Sequence, residues 1–126
     1  MKILLLALLA CVPVFAQPSH SVTLTWSWTQ GTGGLATGYA VYRAQATGTT
    51  CPAASTFTQI ATVAAEATMT YVDTSSSTNT LTEGVTYCYA VTATDSAGAS
   101  PDSNIASATI PFSVPVAPAG LGAVAK

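Results

Sequence analysis

Residues 81–98 read LTEGVTYCYAVTATDSAG, and their alternation decides the fold. Tyr87, Tyr89, Val91 and Ala93 fall on one face, while Cys88 falls on the other. A period of two is that of a β-strand, whose successive side chains point to opposite faces. Glu83-Gly84 supplies a turn before this strand and Asp95-Ser96-Ala97-Gly98 a turn after it.

The same period recurs on both sides. Val22, Leu24, Trp26 and Trp28 alternate with Thr23, Thr25, Ser27 and Thr29, the pattern of a half-buried strand. A Gly-rich loop, Gln30 to Thr37, leads to GYAVYRA, where Tyr39 and Val41 share a face and Tyr42 takes the other. Phe57 to Val63 and Met69 to Val72 read as further strands, Asp73 to Thr80 as a Ser/Thr turn cluster, and residues 104–110 as the last strand. No helical period follows the first sixteen residues. Short strands separated by frequent turns predict an all-β sandwich.

Composition agrees and removes several functions. The 126 residues are 49% hydrophobic and only 6% charged, unlike a disordered chain. Lys2, Arg43 and Lys126 are the only fixed cations, too few to displace counterions from nucleic acid, so no nucleic-acid partner is expected. Beyond the N-terminus no apolar run approaches the roughly 20 residues of a spanning helix, so no membrane span is expected. Residues 1–16, MKILLLALLACVPVFA, have the charged start, apolar middle and Val-x-Ala site of a secretory leader, which would leave Gln17 as the first mature residue. The alternative is lipidation at Cys11 within Leu-Leu-Ala-Cys. Either way the chain is expected outside the cell, secreted or on its surface. There an even pair, Cys51 and Cys88, reads as a disulfide pinning the 45–56 insertion over the outer face. Two free thiols are the other outcome.

Together these residues resemble the fibronectin type III family, over about residues 20–111. SVTLTW with Trp26 is similar to its second strand and GYAVYR to its third. Leu81, Gly84 and Tyr87 resemble its L-x-x-G-x-x-Y corner, and TDSAG with SPDSN resembles the bacterial form of its last hairpin. The resemblance implies an immunoglobulin-like Greek-key sandwich of about seven short strands in residues 17–111. It implies an extracellular adhesive or spacer module, not an enzyme, with an extracellular protein or polysaccharide as partner.

The departure lies in residues 112–126, a Pro/Ala-rich tail. The family's first strand carries P-x-x-P-x-G-L-x-A, and residues 17–20 are too few to supply it. Pro115, Pro118, Gly120, Leu121 and Ala123 carry that pattern at the other end of the chain. A sheet lacking its first strand has an open edge that invites strand addition. Three fates stay open for the tail: docking on its own sheet, donation to a neighbour, or none. Residues 111–118 reach at most about 28 Å, which makes the first tight. Donation head to tail gives self-association into open filaments.

Nothing in the pattern points to catalysis or to a cofactor or metal. His20, the only histidine, is expected to be a solvated residue leading into the first strand. Asp73, Asp95 and Asp102 are expected in turns, where Asp bonds the backbone. Trp28, Tyr42 and Phe57 are the aromatics that a polysaccharide-binding surface would use. The bland account has Trp28 capping the end of the sandwich and Tyr42 covering the disulfide.

Overall fold

The computed structural model describes residues 19–76 and 78–125; the leader and Cys11 lie outside them. Seven strands appear: β1 (Ser21–Thr25), β2 (Gly38–Gln45), β3 (Thr58–Ala64), β4 (Thr70–Thr74), β5 (Thr86–Asp95), β6 (Gly98–Ala99) and β7 (Ala106–Thr109). One short 3-10 turn, Ala54–Thr56, interrupts the insertion before β3. All pairing is antiparallel. β1 and β4 form a two-stranded sheet, and β3-β2-β5 form the larger one, completed by β6 and β7 on the far side of β5.

The core lies between the sheets. Val22 of β1 and Tyr87 and Tyr89 of β5 bury together with Leu81 and Ile110. Leu24, Ile60, Val85 and Ala108 pack against that cluster. Trp26 meets Tyr39 edge to face, with centroids 5.5 Å apart. Inward-facing apolar residues from both sheets therefore share one interior, as in a sandwich. Ile60 is the extra residue of an irregularity in the β2–β3 register between Val41 and Tyr42.

Three boundaries differ from the sequence expectation. β1 ends at Thr25, although the alternation of burial continues through Trp26 and Trp28. The last bond across this pair lies just outside both strands, where the Met69 carbonyl accepts from Trp26 N–H. β4 runs on to Thr74, so Asp73 is a strand residue and not the start of a turn. The final strand is shorter than residues 104–110, because Ser103 and Ser100 hold β5 through side-chain and backbone bonds instead of a continuous ladder.

The disulfide is formed. Cys51 and Cys88 are bonded with their Cα atoms 5.8 Å apart. Cys88 lies between two core tyrosines, points to the opposite face of β5, and is wholly buried there. Ala46 N–H donates to Thr86 O at the root of the insertion, and Thr47 bridges to Thr50 within it. The 45–56 segment is thus fastened to the large sheet at its root and, through Cys51, at its middle.

Candidate functional site

The turn before β5 sets the geometry of one pole. Gly84 has φ +74, a left-handed conformation that glycine adopts without a Cβ penalty. It bends the chain so that Tyr87 reaches back. The Tyr87 hydroxyl donates to Thr80 O at 3.2 Å and accepts from Thr82 N–H at 3.1 Å. This tyrosine corner was legible in the sequence as Leu81, Gly84 and Tyr87.

Glu83 projects from the same turn and gathers the two ends of the domain. Its Oε1 accepts from the Ser113 hydroxyl at 2.6 Å and lies 3.1 Å from His20 Nε2. Ser113 and the carboxylate's charge-assisted bonds hold the Glu83 carboxyl below its ordinary range, Ser113 contributing most and His20 next. His20 is not the solvated residue expected: only 14% of its side chain is exposed. The carboxylate, not the imidazole, receives the Ser113 proton, so His20 is not placed as a base for that hydroxyl. What the cluster does is fix where the tail departs. Ile110 is buried, with its N–H on Val85 O and its O on Gly84 N–H. Ser113 then sits beside His20, immediately before β1.

Beyond Ser113 the tail leaves the domain. Residues 111–125 form no strand, and Val114, Val116, Leu121 and Val124 are 86 to 99% exposed. Pro118, Gly120, Leu121 and Ala123, the pattern of a first strand, therefore do not lie on the chain's own β1. Docking in cis is not what the structure contains.

The edge such a strand would fill is unpaired among the described residues. His20 O accepts from Ser75 N–H, and Trp26 N–H donates to Met69 O. Even-numbered residues of β1 thus face β4, and Ser21, Thr23 and Thr25 turn their N–H and C=O groups outward. Among the described residues nothing pairs with them. The far edge of β4 is partly closed, since Asn79 Nδ2 donates to Thr74 O. The β3 edge carries the register irregularity and a Gln59 side chain on Ala61 O, both of which discourage addition.

A buried polar cluster, absent from the sequence expectation, ties the sheets together. Asp73 is fully buried in β4. Its Oδ2 accepts from Arg43 Nη1 at 2.7 Å and from the Tyr89 hydroxyl at 2.9 Å, and its Oδ1 accepts from Asn79 Nδ2 at 2.7 Å. Arg43 also lies over the Tyr87 ring, 5.2 Å from its centroid. Burial, and then the bond to Asp73, push the Tyr89 hydroxyl pKa upward. Every lone pair that matters on the carboxylate is used, which marks the cluster as structural.

The aromatic residues do not converge. Trp28 is half-buried and lines two adjoining clefts of about 320 and 200 Å³, the first beside Gly31, Gly33 and Asp95, the second beside Trp26 and Asp102. Tyr42 and Phe57 line neither cleft. Tyr42 shares the outer face of β2 with the disulfide region, and Phe57 follows the 3-10 turn. Asp95 spends Oδ1 on the N–H groups of Ala97 and Gly98, the turn role expected of it. Among the described residues no group of three or more His, Cys, Asp or Glu side chains is placed to hold a metal ion. No helix among them is long and apolar enough to cross a membrane. Searches of protein families and of curated proteins find no match to this chain.

Proposed function

We propose that the chain is an exported, non-catalytic module of the fibronectin type III kind, adhesive or structural, whose working surface is the β1 edge. The carrying observation is the imbalance of the sheets. Among the described residues, a two-stranded sheet with an unpaired β1 edge faces a sheet of five strands. Two strands alone are marginal, and a third is the simplest way to complete that layer.

Several features support the family reading. β4 returns to β1 across two strands of the other sheet, as a Greek key requires. The Tyr87 corner and the Trp26 position agree with it. The leader and the disulfide suit an oxidising setting outside the cell. A surface poor in charge offers little repulsion against association.

Thr23→Pro tests the surface. The Thr23 N–H points away from β4, so proline there leaves the β1–β4 ladder intact while removing a donor from the edge. The variant is expected to fold, by circular dichroism and thermal melting, yet to lose association with itself in sedimentation and with the surface of the secreting cells. A folded variant that associates as before overturns the reading.

A further inference from the structure

Past the end of β1 two clefts open side by side, and Trp28, Ala93 and Ser100 line both. His20 precedes β1 and Trp28 follows it, so the clefts lie at the pole away from Glu83. The larger one forms where the loop 30–37 comes down beside the turn between β5 and β6. Gly34 permits that approach, because a Cβ on it would stand only 2.8 Å from Asp95 Oδ2. Gly31 and Gly33 add no side chain either, and Trp28 is the one large apolar side chain on the wall. It is half-buried, so part of it stays accessible.

Hydrogen-bonding groups of both kinds stand unused around that residue. Asp95 Oδ1 accepts from the Ala97 and Gly98 N–H groups, and among the described residues no donor reaches Oδ2. None of them reaches the carboxylate of Asp102, on the wall of the smaller cleft. The N–H groups of Gly31, Gly33 and Gly34 donate to no carbonyl among those residues. This set selects among ligands. No Lys, Arg or His lines either cleft, so an anion would find no counter-charge. A cation would suit the carboxylates and the indole but would leave the glycine donors facing a positive charge. An alkyl chain would desolvate donors and carboxylates without pairing them. An extended peptide pairs with a strand edge, and residues 30–37 and 100–103 are not strands. A sugar answers every group, since its C–H face lies against an aromatic ring while its hydroxyls donate to carboxylates and accept from N–H groups.

We propose that the two clefts bind a neutral oligosaccharide, one sugar ring stacked on Trp28 with a hydroxyl on Asp95 Oδ2 and the next unit directed toward Asp102. The larger cleft holds about 320 Å³, the low end of the roughly 300–1,000 Å³ of small-ligand sites, which suits one ring at a time. The shared wall of Trp28, Ala93 and Ser100 lets a linear saccharide pass from one cleft to the other. Tyr42 and Phe57, which line neither cleft, take no part. The site stands apart from the β1 edge and does not rest on the reading of that edge as the working surface.

Affinity electrophoresis of the chain from Gln17 onward tests this. Native gels carry one of four neutral polysaccharides (hydroxyethyl cellulose, glycol chitin, galactomannan or arabinoxylan), or alginate or gelatin. At least one neutral polysaccharide is expected to retard the protein. Trp28→Ala should weaken that binding roughly tenfold, the loss of one stacked ring, and Trp28→Tyr should restore part of it. Asp95→Asn, which keeps an oxygen for the Ala97 and Gly98 N–H groups, should weaken binding while melting as the parent does. It carries the test if Trp28→Ala fails to fold. Tyr42→Ala and Thr23→Pro should bind as the parent does. Retardation by no neutral polysaccharide, or only by alginate or gelatin, overturns the proposal. So does binding that folded Trp28→Ala or Asp95→Asn leaves undiminished. Binding lost in Thr23→Pro would place the saccharide on the β1 edge and overturn this site.

Discussion

Asp73 and Arg43 sit thirty residues apart in the chain and meet inside the sandwich, the Asp73 side chain wholly buried and that of Arg43 18% exposed. Burying a charge is costly unless it is paired and its remaining lone pairs are satisfied. Here Arg43, Tyr89 and Asn79 satisfy them. Asp73→Ala would leave Arg43 without its partner, and breaking a buried pair costs about 3–5 kcal/mol. That is a large part of the roughly 5–15 kcal/mol that holds a small domain together. Chemical denaturation is expected to show this loss. It should also show that Asp73→Ala combined with Arg43→Met costs less than the two changes summed, because the second removes the orphaned charge. Strict additivity would mean that the two groups are not coupled. The sequence reading counted Arg43 only as one of three fixed cations, although its position two residues after Val41 puts it on the face of Tyr39 and Val41. Asp73 was read as the start of a turn, since its neighbours TSSSTNT have turn composition and only pairing with Val22 carries the strand that far.

At the scale of the element, the turn before β5 does more than start a strand. It positions Glu83 so that the end of the last strand and the start of the first are held on one carboxylate oxygen. That carboxyl is held below the ordinary carboxylate range, chiefly because the Ser113 hydroxyl donates to its charged form. A depressed carboxyl pKa means that the bonded arrangement is complete above pH 4.5 and is lost as the pH falls through the lower folded value. An NMR titration of Glu83 is expected to place its midpoint below 4.5, and Ser113→Ala should move it upward. A midpoint indifferent to Ser113→Ala would contradict the bond. The strands around this turn were readable from alternation alone, because one face of each is buried. Their ends were not. A strand stops where its partner's ladder stops, as β1 does near Met69, and that depends on residues distant in sequence.

For the whole molecule, the pattern in residues 115–123 resembles a strand without a place, and the β1 edge, unpaired among the described residues, is a place for one. Sequence reasoning could join the two but could not say where the tail is rooted. That follows from where Ser113 is held, a contact with Glu83 thirty positions away that no local pattern announces. The disulfide leaves this pole unencumbered, since it fastens the insertion to the outer face of the large sheet. It closes a loop with sequence separation 37, so it restrains the unfolded chain by about 4 kcal/mol and keeps the acceptor sheet's partner in place without the tail.

Amide hydrogen exchange at Thr23 and Thr25 tests the central claim most directly, because only a chain lying on the outer edge of β1 can protect these two groups. In the intact protein at concentrations where it is associated, both amides are expected to exchange as slowly as those of Val22 and Leu24. In the chain ending at Ser113 they should exchange rapidly, while Val22 and Leu24 stay protected by β4. Rapid exchange at Thr23 and Thr25 in both proteins would contradict the account.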